Sequence, residues 1–207
     1  SAWVVREMDI LLGALPGIDD DMVLATWLAE WRRVQARREY AIWWPQRERM
    51  IARASARWAY VDRLRGQPLR VPDEMLSKFG VPGRPMPLRT SISDSETSPR
   101  QCVPLQIVAR EYEADTQQHV NNCVYADWLE EAARGCASEA AAGQRIRSAR
   151  YYHIAYVRPA LPGDAVRVDT AATVRGRLLN LLQTITSATD QRLYVRAWSQ
   201  HLLLPGD

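Results

Sequence analysis

Lysine is nearly absent from this chain. Lys78 stands alone in 207 residues, so every other basic side chain is an arginine. Arginine pairs with carboxylates and phosphates through a planar, two-pronged fork. The clusters Arg32-Arg33, Arg37-Arg38 and Arg47, Arg49, Arg53 and Arg57 are therefore candidates to face an acidic partner. The simpler reading places them on the solvent faces of strands. The net charge is only +3, and no nucleic-acid partner is expected. A run of about 18 uncharged apolar residues is missing, so no membrane-spanning helix is expected. The first ten residues lack the basic-then-apolar layout of a signal peptide. Cysteine is scarce: Cys102, Cys123 and Cys136 show neither C-x-x-C nor Cys/His ligand spacing. Three scattered cysteines suit reduced thiols in a cytoplasmic compartment better than a disulfide framework. There is no glycine-rich phosphate loop and no Ser-His-Asp order. Neither a metal nor a redox cofactor is implied.

What is present has the balance of a globular protein, 47% hydrophobic and 25% charged. Residues 1–65 read as strands. Trp3, Val5 and Met8 open one apolar run, and Met22–Trp27 continues it after the turn Leu15-Pro-Gly-Ile-Asp19. Arg38–Trp44 and Met50–Val61 are rich in aromatics and alternate in places, with Pro45 and Gln46–Arg49 as the hairpin turn between them. Residues 66–101 are punctuated by six prolines and a polar stretch, Thr90–Ser98, and read as a linker. A short helix is expected at Pro72–Phe79 within it. Residues 102–207 begin with a strand, Val103–Tyr112, and a polar turn, Glu113–His119. A helix follows from about Asn122 to Ala137, with Val124, Tyr125, Trp128, Leu129 and Ala132 on one face. Asn121 or Asn122 suits its N-cap. Four strands follow, near 146–158, 164–175, 177–188 and 192–203. His153 is expected on a strand, and His201 at the surface near the chain end.

The two blocks repeat each other weakly. Leu15-Pro-Gly17 and Leu161-Pro-Gly163 each follow one strand and precede a longer one, and Trp58 matches Trp198. Nothing in the first block corresponds to residues 103–148. The expectation is an incomplete first copy that lacks its opening strand and its helix. Its apolar sheet face then needs a cover, either from residues upstream of Ser1 or from another chain, as in a homodimer.

Chemistry concentrates at the start of the helix. The unpaired N–H groups of a helix N-terminus carry roughly half a positive charge. Those near Val120, Asn121 and Asn122 could hold the oxyanion of a tetrahedral intermediate, worth on the order of 3 kcal/mol for one good donor. Asp115 is the carboxylate just before them. It could attack an acyl carbonyl or activate a water. His119 could orient water, bond the substrate or order the turn. The plainer alternatives are an Asp115 that only caps the turn, asparagines that only cap the helix, and a Tyr125 and Trp128 that line the core or an acyl tunnel.

The stretch Glu113-Ala-Asp115-Thr-Gln-Gln-His119-Val-Asn-Asn122-Cys-Val-Tyr125-Ala-Asp-Trp128 resembles the D-x-x-x-H-V-N-N-x-x-Y-x-x-W signature of acyl-ACP and 4-hydroxybenzoyl-CoA-type thioesterases. Tyr156–Asp164 resembles the next strand and turn, and the block from Trp3 to Asp62 is similar to the later part of the N-terminal domain of acyl-ACP thioesterases. The resemblance implies an α+β, tandem (double) hotdog fold, in which antiparallel sheets wrap a long helix. It implies hydrolysis of a fatty or polyketide acyl thioester on acyl carrier protein or CoA, with Asp115, Gln117 and His119 catalytic. Val120, Asn121, Asn122, Tyr125 and Trp128 would contact substrate. Two departures stand out. The family's usual D-x-N-x-H has Gln117 in place of the asparagine, and its Glu-Cys pair on the next strand is replaced by Pro159 and Ala160. The alternatives are a non-catalytic acyl-binding or scaffold hotdog, in which Asp115 is only a cap, and a hotdog dehydratase.

Overall fold

The computed structural model describes residues 1–79, 83–85, 88, 99–141, 144–147 and 149–204. The expected polar stretch Thr90–Ser98 lies outside them. The chain divides into two compact units, Ser1–Ser91 and Ile92–Asp207.

The first unit is an antiparallel sheet of β1 (Ala2–Leu12), β2 (Val23–Arg32), β3 (Gln35–Trp44) and β4 (Arg49–Val61). Its sheet order is β2-β3-β4-β1. Charged residues extend β2 and β3 beyond their apolar runs because the ladder pairs them. Glu30 stands opposite Arg37 and Arg37 opposite Arg57, and Arg32 and Arg37 reach Glu30 at 2.6 and 3.8 Å. Arg57 reaches Glu7 at 3.0 Å. Several of the clustered arginines are thus engaged within the unit.

The β3–β4 hairpin turns where Pro45 stands, through a 3-10 turn at Pro45–Arg47 and a left-handed Glu48. Trp3 packs against Trp31 and Tyr60, with ring centroids 5.7 and 5.2 Å apart. The expected linker starts as ordered chain. The Leu69 N–H donates to Tyr60 O and the Val71 N–H to Arg33 O, and α1 (Asp73–Phe79) follows. Gly83 then passes so close to Trp27 that a Cβ there would lie 2.6 Å from the indole. Its N–H donates to Leu28 O, and the Trp27 Nε1–H donates to Arg84 O.

The second unit holds the long helix α2 (Asn122–Ala140), with β5 (Arg100–Gln101) and β6 (Leu105–Val108) before it. After it come β7 (Arg145–Ile146), β8 (Tyr151–Tyr156), β9 (Ala165–Arg175), β10 (Leu178–Ser187) and β11 (Leu193–Leu204). The sheet order is β8-β11-β10-β9-β5, with β6 also on β9 and β7 on β11. Gly176 supplies the positive φ that the tight β9–β10 turn needs. Two expected strands are shorter than the sequence suggests. The one at Val103–Tyr112 stops at Val108, because the Arg110 N–H turns back to Glu113 Oε2 and starts a 3-10 turn at Glu111–Glu113. The one near 146–158 is interrupted between β7 and β8.

The buried face of α2 carries Tyr125, Trp128, Leu129, Ala132, Ala133, Cys136 and Ala137. Three of its seven residues are alanines, which lets the helix lie close on the sheet. Beneath its second half, Ala172, Leu179, Leu181 and Leu203 complete an apolar cluster. Each large side chain in such a core stabilises the fold by about 1.5–3 kcal/mol relative to exposure. Two expectations are corrected here. Cys102 and Cys136 are not free thiols but form a disulfide, with Cα atoms 5.3 Å apart, and only Cys123 is free. The pairing was hidden because 34 residues separate the two cysteines, and only the docking of α2 brings them together. His201 is not at the surface but fully buried. It points inward on β11 by strand alternation, where its Nε2 meets Ser199 Oγ at 3.0 Å.

Candidate active site

Helix α2 begins where Asn121 caps it, its Oδ1 accepting the Cys123 N–H at 2.9 Å. The segment before the cap is a closed loop. Ala114 and Val120 form an antiparallel bridge. The Asp115 N–H donates to His119 O and the Asn121 N–H to Glu113 O, both at 2.8 Å. Gln118 takes the left-handed conformation, with φ of 62°, and donates its N–H to Asp115 O. Asp115 and His119 thereby stand at the two roots of one five-residue loop at the helix N-terminus.

Asp115 is half-buried. Its Oδ1 accepts the Gln117 N–H at 2.8 Å and, more loosely, the His119 N–H at 3.5 Å. Among the described residues nothing donates to its Oδ2. The half-buried His119 ring and the exposed Gln117 amide likewise have no side-chain hydrogen bond among the described residues. One carboxylate oxygen therefore serves the loop and the other is available.

The set of amides open to an oxyanion is narrower than the sequence suggests. The Val120 N–H donates to Ala160 O at 2.9 Å, and the Asn121 N–H is taken by Glu113. Those of Cys123 and Val124 are taken by the Asn121 side chain and carbonyl. Among the described residues the Asn122 N–H has no acceptor, and it is the first amide of the helix. Asn121 and Asn122 are both exposed, and only the Asn121 side chain caps.

Tyr125 and Trp128 are 2% and 3% exposed and belong to the packing that holds the loop. The Tyr125 hydroxyl accepts the Ala160 N–H at 2.8 Å. Burial pushes this phenol up to about 12, against the lowering effect of the Ala160 bond. Its ring meets Trp128 and Tyr156 edge-on, with centroids 5.4 and 6.0 Å away. Ala160 is thus a backbone clamp, receiving from Val120 and giving to Tyr125.

The turn that carries Ala160 is fixed by a residue that the sequence reading passed over. Asp164 Oδ2 accepts from the Leu161 N–H at 3.0 Å and from the Tyr194 hydroxyl at 2.9 Å. Burial raises the Tyr194 phenol, and its bond to Asp164 raises it further. The signal was the Pro-Gly-Asp sequence, read only as a turn. No group of three or more potential metal ligands comes together among the described residues.

The profile of the acyl-ACP thioesterase N-terminal domain matches residues 1–79, and that of the C-terminal domain matches residues 97–199. Over 136 residues the chain is 26% identical to the chloroplastic oleoyl-acyl carrier protein thioesterase 2 of Arabidopsis thaliana. That alignment takes in 61% of this chain and 37% of the relative, so the match spans just over a third of the length of that protein. Among solved structures, an acyl-ACP thioesterase from Bacteroides thetaiotaomicron superposes with a TM-score of 0.71 at 18% identity, over 96% of this chain and 76% of that one. The 12:0-ACP thioesterase from Umbellularia californica gives 0.70 at 16% identity, over 98% and 76%. At these identities the likeness is one of fold, the hotdog arrangement of antiparallel sheet and long helix.

Proposed function

Because the chain belongs to the acyl-ACP thioesterase family, we propose that it hydrolyses a fatty or polyketide acyl thioester, carried on acyl carrier protein or CoA, to the free acid. The observation that carries this reading is the presence, before and at one helix N-terminus, of a carboxylate oxygen with no donor among the described residues, Asp115 Oδ2, and an amide with no acceptor among them, Asn122 N–H. A thioester carbonyl whose oxygen meets that amide gains stabilisation as negative charge develops on it. Its carbon is then the electrophile for the Asp115 carboxylate or for a water that Asp115 activates. In one route Asp115 attacks and forms a mixed anhydride, the thiolate leaves and takes up a proton, and water releases the acid. In the other, Asp115 removes a proton from the attacking water. His119, at the other root of the loop, orients the water or the substrate, with the Gln117 amide as a further polar group for the same task. The reading assigns Val120, Asn121, Tyr125 and Trp128 to shaping the substrate site rather than to reacting.

A double hotdog is part of the same reading. Residues 66–101 join a first copy, 1–65, to a second, 102–207. The order β1-β4-β3-β2 repeats that of β8-β11-β10-β9. The Leu15-Pro-Gly17 and Leu161-Pro-Gly163 turns fall between corresponding strands, and Trp58 and Trp198 lie on corresponding strands β4 and β11. An acidic carrier protein would be the natural partner for exposed arginines of the first block such as Arg33 and Arg47.

The second reading, a non-catalytic hotdog, is favoured by the two amides that Asp115 Oδ1 accepts, since a pure loop cap would make the same bonds. Release of free thiol from a panel of acyl-ACP and acyl-CoA substrates separates the two. Turnover well above the uncatalysed rate is expected with at least one long-chain substrate. No release from any member of the panel would overturn the enzymatic reading.

A further inference from the structure

We propose that Glu113 is a positioning residue for this reaction, the anchor that sets the Asp115 loop against α2; the proposal rests on the thioesterase reading above. Three contacts converge on Glu113. Its Oε2 accepts the Arg110 N–H at 2.7 Å, where the chain leaves β6. Its Oε1 accepts the Trp128 Nε1–H at 3.4 Å, more than a turn inside α2. Its carbonyl accepts the Asn121 N–H, the cap of the same helix. The Arg110 guanidinium stands 4.0 Å from the carboxylate, whose side chain is only 9% exposed.

The consequence follows from connectivity. Glu113 lies two residues before Asp115, and the Ala114–Val120 bridge lies between them. Loop position relative to Asn122 N–H is therefore set at this root. The loop's own bonds, Asp115 N–H to His119 O and Gln117 N–H to Asp115 Oδ1, fix its shape but not where it sits on the helix. The Val120 N–H to Ala160 O and Asn121 N–H to Glu113 O bonds hold its far root, and the Glu113 side chain adds the constraint at its near root through Trp128 and Arg110. A neutral Gln cannot replace it, because an amide offers one acceptor oxygen where the carboxylate offers two. Glu113 touches no reacting atom; it acts through the placement of Asp115 and Asn122.

The test uses the whole chain with two conservative substitutions, Glu113→Gln and Trp128→Phe. Trp128→Phe keeps an aromatic ring but removes the Nε1–H together with part of the buried indole, so exchange at β10 also serves as the control for lost packing. Two properties are read: the steady-state constants for thioester hydrolysis, and amide hydrogen exchange at Asn121 and Asp115 compared with β10. Glu113→Gln is expected to lower kcat by about tenfold or more with KM little changed, as for a misplaced reacting group. It should speed exchange at Asn121 and Asp115 while β10 stays protected. Trp128→Phe should do the same to a smaller degree, and the double variant should lose less than the product of the two single losses. Unchanged exchange at Asn121 in Glu113→Gln would overturn the proposal, as would faster exchange with full kcat. Lost protection throughout β10 would mean that Glu113 merely holds the fold, and would also overturn it. If the wild-type chain releases no thiol, the thioesterase reading and the catalytic part of this proposal both fail, while the exchange arm still decides whether Glu113 anchors the loop.

Discussion

Asp115 holds the backbone of Gln117, its Oδ1 accepting the Gln117 N–H at 2.8 Å. The carboxylate that is expected to react is thus also the side chain that shapes its own loop, with one oxygen assigned to each task. This division makes the choice of substitution matter. Alanine would remove both functions, whereas asparagine keeps an Oδ1 acceptor and loses only the anionic oxygen.

Asp115→Asn is therefore expected to fold normally and to lose hydrolysis by about 10²-fold or more, the usual contribution of a general base or nucleophile. Steady-state kinetics and a thermal melt check it together. A variant that melts like the wild type and retains more than about a tenth of its kcat would remove Asp115 from the chemistry.

The neighbouring side chains are under less constraint. The Gln117 amide is exposed, and its backbone rather than its side chain makes the loop bond. Gln117→Asn should be tolerated within a few-fold in kcat/KM. His119 contributes its carbonyl to Asp115 N–H, a bond that any residue can make. His119→Ala should cost less than Asp115→Asn, and equal losses would make the imidazole an obligatory catalytic group.

How much of this was legible in the sequence depends on range. The helix start was readable because Asn121 and the apolar face from Tyr125 to Ala132 are local signals. Most strands were readable from alternation and from Pro45, Pro162-Gly163 and Gly176. What escaped was set by distant partners. β2 runs on through Glu30 and Arg32 because Arg37 stands across from Glu30. The availability of an amide could not be read at all, since Val120 is engaged by Ala160, 40 positions away. Glu113 looked like the first residue of a polar turn, and its bond to Trp128 exists only once the 3-10 turn folds back on α2. His201 looked terminal and polar, yet its strand, β11, lies between β8 and β10 rather than at an edge.

The Cys102–Cys136 disulfide ties the start of the second unit to the far half of α2, and the loop it closes contains the entire Asp115–Asn122 segment. A cross-link of 34 residues should stabilise the unit by about 4 kcal/mol on the chain-entropy account. Denaturation of the oxidised protein and of protein pre-reduced with a dithiol while unfolded should show a clear drop in midpoint on reduction. Identical midpoints, with thiol titration confirming that the bond was broken, would show that the cross-link contributes nothing.

His201 should make stability depend on pH. It is fully buried, and this burial lowers its pKa from the ordinary 6.5, outweighing the opposite pull of the Glu130 carboxylate and the Arg147 backbone; Arg134 also lowers it. In the unfolded chain the imidazole takes up a proton near pH 6.5, while in the native chain it does so only at lower pH. Between those two values the unfolded state binds the extra proton, so stability is full above about 6.5 and falls as pH drops toward the native value. The steepest slope available to one group is about 1.4 kcal/mol per pH unit. The Ser199 contact at 3.0 Å accommodates the neutral ring, and Gln183 ties Ser199 to the Leu129 carbonyl of α2, so charging His201 strains the helix–sheet packing directly. The carboxylate of Asp190, held down to about 2 by its bonds to Ser187 and Arg192, loses its contribution only below about pH 4 and does not enter this window. Urea midpoints measured from pH 7.5 to 5.0 should therefore fall for the wild type and fall less for His201→Gln, which cannot take up the proton. Parallel curves for the two proteins across that range would show that His201 does not drive the pH dependence.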